Sequence, residues 1–256
     1  MPADCVTLWI GDRLGAVERA CLRSVCRQGH RLALYCYDRP AGVPDEVEVR
    51  DADPILPRSE MQRFPGSKVA IFSDWFRYAL LEREAGVWVD TDVYLLAPLV
   101  ADGGYLFGEQ DAGLINNAVL RLPPHSPMLR DLLEIFERRK TPQWLSWRAY
   151  LQSRFRESIS GRADPGRMPW GTTGPHALTA LTKRHRVEGL ALPALVLNPV
   201  PWTSAGWIRD PALRLKDMVT NETIAIHLWN ACIKGFKDEP AAEGSFLDRL
   251  HREGRD

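Results

Sequence analysis

Short apolar runs and helical patterns alternate along the first part of the chain. Residues 6–10 and 32–37 are mainly apolar and are followed by turn residues, which predicts two strands. Between them, apolar residues recur at positions 17, 20, 21, 22 and 25, the spacing of an amphipathic helix over residues 15–28. A strand, a helix and a second strand at this spacing predict a parallel unit and therefore an α/β fold.

The middle of the chain continues this alternation. Residues 67–85 have helical character and stop at Gly86, a typical helix-terminating residue, and an apolar strand follows at 87–90 with a short continuation at 94–96. Further strands are predicted at residues 105–108, 114–122, 194–198 and 223–229. Further helices are predicted at residues 126–140, 144–157 and 175–184. Loops are predicted at residues 53–66 and 158–173. Because no repeat or clear linker divides the chain, one domain is predicted for residues 1–256.

Composition excludes several classes of protein. The 33 basic and 33 acidic residues cancel, so the chain lacks the basic excess of a nucleic-acid-binding protein. No apolar stretch is long enough to cross a bilayer, so no integral membrane segment is expected. The N-terminus lacks the basic region of a signal peptide. We therefore expect a cytoplasmic protein, whose contact with the inner face of the membrane would be peripheral.

The cysteines carry little chemical signal. There are five of them, an odd number, and none are spaced as Cys-x-x-Cys. Buried free thiols are therefore expected, rather than disulfides or a zinc site.

Two Asp-x-Asp sequences occur, and their surroundings differ. Asp51 and Asp53 lie between a mixed segment and a proline, which predicts a solvated loop. Asp90 and Asp92 follow the apolar residues 87–89, and in a strand alternate residues project to one face. Two carboxylates on one face suit Mg²⁺ or Mn²⁺, with nucleotide phosphates completing the coordination. The alternative is a strand-end pair capped by nearby N–H groups.

A second pair of charges lies on the predicted helix before that strand. Asp74 and Arg77 are three residues apart and are therefore neighbours on a helix surface. Apolar residues surround them on most of the helix, which predicts deep burial. Such a pair is often only structural, but Arg77 could also reach a phosphate or hold Asp74 toward a sugar hydroxyl.

These residues resemble the DxD-motif glycosyltransferases of the sugar-binding-region family. That family includes yeast-type α-1,6-mannosyltransferases, capsular-polysaccharide transferases and the glucosylating domains of bacterial toxins. The matching motifs are Leu8-Trp9-Ile10-Gly11, Ser73-Asp74-Trp75-Phe76-Arg77, Gly86-Val87-Trp88-Val89-Asp90-Thr91-Asp92, Asn116-Asn117-Ala118 and Gly174-Pro175. The similarity extends over roughly residues 5–185, and residues 67–99 are its most specific part.

The resemblance implies a GT-A-type fold with a mainly parallel sheet flanked by helices. It also implies transfer of a sugar from a UDP- or GDP-sugar to a hydroxyl acceptor, with Mn²⁺ or Mg²⁺ as cofactor and usually with retention of configuration. Residues 1–125 would form the nucleotide-sugar-binding part, and residues 126–256 the acceptor side and the C-terminal closure. The base, the sugar and the acceptor do not follow from the sequence.

The same resemblance implies roles for individual residues. The implied donor-binding residues are Trp9, which would stack on the base, and Ile10, Asp74, Arg77, Asp90 and Asn117. The implied catalytic residues are Asp90, Asp92 and Arg77, because a metal on Asp92 and the charge of Arg77 would neutralise the leaving diphosphate. The implied metal ligands are Asp92 and His227, although a histidine in an apolar strand equally fits the core. Trp202 and Trp207 either close over the donor or cover the core.

Two other functions remain open at this stage. The strand ending in Asp90 and Asp92 also fits the first motif of haloacid-dehalogenase-type phosphatases, with Asp90 as nucleophile and Asp92 as acid/base. That family needs the motif on an early strand and a later acidic pair, whereas nearly ninety residues precede it here. The other alternative is a non-catalytic module that binds nucleotide sugars on the same fold.

Overall fold

A computed structural model describes residues 3–83, 85–101, 104–137 and 140–255. Its strands are β1 (Asp4–Leu8), β2 (Arg31–Cys36), β3 (Glu48–Asp51), β4 (Val87–Val89), β5 (Val93–Leu95), β6 (Glu109–Asp111), β7 (Leu114–Ile115), β8 (Val119–Leu120) and β9 (Ala225–His227). Its α-helices are α1 (Ala16–Arg27), α2 (Arg58–Met61), α3 (Val69–Glu82), α4 (Pro127–Glu137), α5 (Trp147–Ser160), α6 (Pro175–Arg184), α7 (Ala194–Leu197), α8 (Leu215–Met218), α9 (Asn230–Ile233) and α10 (Phe246–Glu253). Short 3₁₀ helices occupy Gly66–Lys68, Pro165–Arg167, Glu188–Leu190 and Trp202–Arg209.

The central sheet is mainly parallel and is flanked by helices, as the sequence predicted. Its strand order is β3-β2-β1-β4-β8, and only the β4–β8 pair is antiparallel. Helix α1 separates β1 from β2, and α3 lies between β1 and β4, as parallel strands need long crossover connections. Residues 37–47 connect the parallel strands β2 and β3 without a helix. The C-terminal ends of the parallel strands therefore lie along one edge of the sheet.

Apolar layers cover both faces of this sheet. Alternate residues of each strand point to opposite layers, so Val6 and Trp88 lie in one core cluster and Cys5 and Val87 in the other. The first cluster includes Phe72 and other residues of α3, α4 and α6. The second includes residues of α1 and β5. A third cluster brings α10 and the Trp202–Arg209 segment against α1 and β9.

Two small antiparallel pairs lie outside the central sheet. β5 pairs with β9, with Val93 opposite His227, and β6 pairs with β7. The β5–β9 pair is decisive for the site, because it joins the segment after Asp92 to the distant C-terminal part of the chain.

Several predicted elements differ from the structure. Residues 194–198 were predicted as a strand but contain α7, which begins after Pro193; periodicity alone does not separate a short apolar strand from a buried helix. The predicted strand 114–122 is divided into β7 and β8, because the side-chain oxygen of Asn116 accepts a hydrogen bond from the N–H of Ala118 at 2.6 Å. Residues 105–108 form only isolated bridges.

Other predicted elements needed smaller corrections. β3 is an exposed edge strand that was not predicted, because its sequence is mainly polar. The short helix α2 lies within the predicted loop 53–66. The helix predicted to reach Lys140 is observed to Glu137, and positions 138 and 139 lie outside the described residues. The C-terminal helix α10 is held by burial of Phe246 and Leu250.

The cysteines agree in part with the expectation of buried free thiols, because Cys26 is only partly buried and Cys232 is exposed. All five cysteines are free, and Cys5, Cys21 and Cys36 are buried. Burial raises the pKa of Cys5 to about 12, so this thiol stays protonated and unreactive at neutral pH. Among the described residues, no helix has both the length and the apolar character needed to cross a membrane.

Candidate metal and donor site

The candidate site lies at the C-terminal ends of two adjacent parallel strands. β1 pairs with β4 so that Val6 is opposite Trp88. The residues that follow these strands, Trp9 on one side and Asp90 and Asp92 on the other, therefore meet at the same edge of the sheet. In open α/β sheets, ligands bind in the crevice outside the carboxyl ends of the strands.

Asp92 is joined to the C-terminal part of the chain by three contacts. Its backbone oxygen accepts the N–H of Leu228 at 2.9 Å, which extends the β5–β9 ladder by one residue. Its carboxylate Oδ2 accepts the N–H of Asn230 at 2.6 Å and lies 3.3 Å from Nε2 of His227. The ladder thus brings the imidazole of His227 directly against a carboxylate 135 positions earlier in the chain.

Asp90, Asp92 and His227 form a cluster that could hold a metal ion. One ligand atom from each lies within 4.8 Å of the others, and within the described part of the chain this is the one group of its kind. The Nδ1 atom of His227 is buried without a hydrogen-bond partner, which is unusual for a histidine that merely fills a core. Two carboxylates and an imidazole with an unpaired buried nitrogen fit a divalent cation.

The electrostatics of Asp92 favour its ionised form. Burial acts to raise the pKa of this carboxyl group, but His227 and the N–H of Asn230 oppose and outweigh that effect. The pKa of Asp92 therefore lies below its ordinary value. A carboxylate that is ionised throughout the neutral range is the form that binds a cation.

Arg77 links the two acidic residues of the predicted donor site. Arg77 lies on α3 and is only 3% exposed, and the two terminal nitrogens of its guanidinium lie 2.6 Å from Asp74 and 2.7 Å from Asp90. The guanidinium also stands over the ring of Trp88 at 4.6 Å from the centroid. Trp88 donates its own Nε1–H to the same oxygen of Asp90 at 2.6 Å. Asp90 is thus oriented by two donors through one oxygen.

Asp74 connects three segments that are distant in the sequence. Besides Arg77, its carboxylate accepts from the side-chain amide of Asn117 and from the hydroxyl of Thr173, each at 2.7 Å. Burial raises the pKa of Asp74, although Arg77 and Thr173 act to lower it. Gly174 allows this close approach, because a Cβ at that position would lie 2.9 Å from the Asn117 amide nitrogen and 3.0 Å from Asp74. Asp74 and Asn117 therefore order the wall of the site, while their contact with a donor stays a prediction.

The remaining predicted residues lie around this centre. Trp9 and Ile10 are half-buried, and the Nε1 of Trp9 is buried without a hydrogen-bond partner. Trp207 stacks on Phe246 at 5.0 Å between centroids, so it belongs to the core. Trp202, at the start of the same 3₁₀ segment, is 52% exposed and stays a candidate for closure over a ligand.

Sequence reasoning did not find several supporting residues. Thr173 contacts Asp74 and Asn230 contacts Asp92 because the tertiary fold brings them together. No local sequence pattern predicts either contact. Glu18 and Lys237 form a buried ion pair, and Lys237 also donates to the side-chain oxygen of Asn230 at 2.7 Å. This chain of contacts ties α1 to the segment whose backbone N–H holds Asp92.

Replacement of Lys237 by methionine (Lys237→Met) is expected to lower the free energy of unfolding by about 3–5 kcal/mol, because it leaves Glu18 buried without a counter-charge. Glu18 is only 1% exposed, so solvent cannot compensate for the lost partner. Urea denaturation of the variant tests this expectation. The double variant Glu18→Gln/Lys237→Met should recover part of the loss.

The exposed pair of Arg31 and Asp4 supplies the control for that experiment. Its side chains are 86% and 51% exposed, so Arg31→Met should leave the stability almost unchanged. Equal losses for Lys237→Met and Arg31→Met would show that the Glu18–Lys237 pair does not support the fold as argued.

A separate cleft lies elsewhere on the molecule. It has a volume of about 590 Å³ between α4 and α6 and is lined by Asp131, Trp144, Leu181 and Arg184, among others. None of the predicted donor-binding or metal-binding residues lines it. The chemistry of the strand ends, rather than the size of a cleft, therefore identifies the candidate site.

Comparison with known proteins points to glycosyl transfer. The chain is 27% identical over 201 residues to the lactosylceramide 4-alpha-galactosyltransferase of Mus musculus. A distant relative of this chain is a glycosyltransferase. The matched region covers 74% of this chain but 48% of the relative, so the chain spans about half the length of the protein it matches. No family model matches the chain.

Proposed function

We propose that this chain is a metal-dependent glycosyltransferase that moves a sugar from a UDP- or GDP-sugar to a hydroxyl acceptor. The observation that carries the proposal is the cluster of Asp90, Asp92 and His227 at the end of a buried parallel strand, beside the guanidinium of Arg77. Carboxylates and an imidazole would hold the cation, and Arg77 would add a fixed positive charge. The distant glycosyltransferase relative supports the same reaction class.

The catalytic problem in this reaction is the negative charge that develops on the leaving nucleoside diphosphate. A divalent cation held by Asp90, Asp92 and His227 would supply Lewis-acid stabilisation of that charge. Arg77 keeps Asp90 in a fixed orientation and contributes positive charge in a water-poor environment, where electrostatic stabilisation is strongest. Trp9, at the end of the neighbouring strand, would present its ring to the base. The imidazole ligand shifts the preference from Mg²⁺ toward Mn²⁺, because Mg²⁺ strongly prefers oxygen ligands.

The finer features of the proposal rest on the resemblance carried by the Trp9, Asp74–Arg77 and Asp90–Asp92 motifs. We propose a GT-A-type fold within the sugar-binding-region family and retention of the anomeric configuration. The relative's name describes a galactosyltransferase that acts on lactosylceramide, so UDP-galactose is the first donor to test.

Ligand-dependent thermal stability tests the proposed function. A ligand that binds only the folded protein stabilises it by mass action, by roughly 2.7 kcal/mol at a hundredfold excess over Kd. UDP, GDP and their galactose, glucose and mannose conjugates should each be measured with and without Mn²⁺. We expect an increase in melting temperature that requires both one nucleotide and the metal. Stabilisation by no such pair would contradict the proposal.

The two alternative functions are less well supported by the site. A haloacid-dehalogenase-type phosphatase would need a second acidic pair near Asp90, whereas the third member of the observed cluster is His227. A non-catalytic binding module would show the same metal-dependent stabilisation without turnover. Release of free UDP or GDP in the presence of an acceptor separates it from the enzyme, and phosphate release from a phosphomonoester would reveal the phosphatase.

A further inference from the structure

The helix α5 presents its large apolar side chains to solvent. Trp147, Leu151, Phe155 and Ile159 recur every four residues and are 68%, 58%, 67% and 73% exposed. A spacing of four places successive side chains on one side of a helix, so the four form a continuous ridge. Isolated exposed apolar residues are normal on a protein surface, but four in one row are not.

The opposite side of α5, which faces the protein, is polar. Ser153 is the buried residue of the helix, and Glu157 accepts from the N–H and the hydroxyl of Thr141 at 3.2 and 2.7 Å. Burial of apolar side chains stabilises proteins, so a helix that turns its apolar side outward forgoes that stabilisation within the isolated chain. This orientation is expected where the apolar ridge has a partner outside the chain.

The charge around the ridge indicates the kind of partner. Residues 147–170 contain five arginines against one glutamate and one aspartate, a net charge of +3 in a chain whose total is 0. Arg148 and Arg162 are exposed at the two ends of the helix, and Arg148 stacks over the ring of Trp147 at 5.1 Å. A row of tryptophan, leucine, phenylalanine and isoleucine bordered by arginines is typical of a helix that lies in the interface of an anionic bilayer.

The size of the ridge and the charge beside it together argue against a stable dimer of this chain. Two aromatic and two aliphatic side chains at these exposures offer on the order of 500 Å² of apolar surface. A stable protein interface buries about 800 Å² from each partner, little more than half of it apolar, so the rest would have to come from the arginine-rich surface beside the ridge. In a dimer that pairs the ridge with itself, that surface would face the same positive charge on the second copy. Shallow insertion into a lipid interface has no such minimum area, because it is supplemented by attraction between arginines and anionic headgroups.

We propose that α5 docks the protein on the surface of a bilayer containing anionic lipids, with Trp147, Leu151, Phe155 and Ile159 inserted among the acyl chains. This inference does not depend on the proposed transferase activity. The loop that follows α5 ends at Thr173, which donates to Asp74 in the candidate site. Docking through α5 would therefore connect the membrane surface to the wall of the site.

Sedimentation of the full chain with lipid vesicles tests the proposal. We expect binding to vesicles of phosphatidylcholine mixed with phosphatidylglycerol, weaker binding to phosphatidylcholine alone, and a decrease as salt is raised. The variant Leu151→Ser/Phe155→Ser should bind the mixed vesicles about tenfold less tightly, because two inserted side chains are lost. Absence of wild-type binding to the mixed vesicles would overturn the proposal without reference to any variant.

A matched control variant separates docking through α5 from adsorption by any exposed apolar side chain. Val100→Ser/Leu190→Ser also removes two exposed apolar side chains, but both lie outside α5. They are 79% and 53% exposed. This variant should bind vesicles as the wild type does. Equal losses in the two double variants would overturn the assignment to α5. A change from dimer to monomer in Leu151→Ser/Phe155→Ser, without vesicle binding by the wild type, would assign the ridge to self-association instead.

Discussion

Asp92→Asn is expected to reduce the rate of sugar transfer by roughly 10²–10³-fold or more, with the fold retained, because it removes an anionic ligand from the site that stabilises the leaving group. Asparagine keeps the size of the side chain and can still accept the N–H of Asn230, which holds Asp92 at 2.6 Å. The loss should therefore appear in turnover and in Mn²⁺ affinity, rather than in folding. Release of the nucleoside diphosphate and titration with Mn²⁺ are the two measurements.

The chain contains a matched control for this experiment. Asp51 ends a parallel strand and begins the other Asp-x-Asp sequence, but it is exposed and is not part of the cluster with His227. Asp51→Asn should leave transfer and Mn²⁺ affinity unchanged. If Asp92→Asn kept wild-type turnover, the proposed role of the metal would be wrong.

Arg77→Met is expected to lower the free energy of unfolding by about 3–5 kcal/mol, because it leaves buried carboxylates without their counter-charge. Arg77 contacts both Asp74 and Asp90, and the side chains of Arg77, Asp74 and Asp90 are only 4%, 14% and 25% exposed. Asp90 would also lose one of the two donors that orient it, so any folded variant should transfer sugar poorly. Urea denaturation measures the first effect, and donor-dependent turnover measures the second.

A double-mutant cycle tests the physical reason behind that loss. If uncompensated negative charge causes the loss of stability, Arg77→Met/Asp74→Asn should be more stable than Arg77→Met, because the unpaired carboxylate of Asp74 is removed. Additive effects of the two substitutions would contradict this account. Arg50→Met provides the comparison, since its partner Glu48 is 60% exposed and the pair should contribute less than about 1 kcal/mol.

The distant relative and the local motifs support the same reaction class. The motifs suggest a DxD-type transferase through the residues of one helix and one strand. The match to the mouse enzyme extends over 201 residues and therefore does not depend on those motifs alone. Neither route assigns the sugar or the acceptor, and donor-dependent stabilisation is the most direct way to identify the first of these.

Local sequence was sufficient for the elements that carry the first half of the site. The apolar residues before Asp90 predict a buried strand, and the spacing of Asp74 and Arg77 predicts neighbours on a helix. Both expectations agree with the structure, because a strand that is buried on both faces and a largely buried helix impose their periodicity directly on the sequence. The element errors fell on short or polar segments such as β3 and α7, where periodicity carries little information.

The sequence alone determined a mainly parallel α/β fold, a buried arginine on α3 and two carboxylates at the end of β4. Only the tertiary structure decided which distant residues complete that site. His227 and Asn230 reach Asp92 because β9 pairs with β5. Thr173, just before α6, and Asn117, between β7 and β8, reach Asp74. Local periodicity reports only which face of an element is buried. The choice of partner across more than a hundred residues depends on the packing of the whole chain.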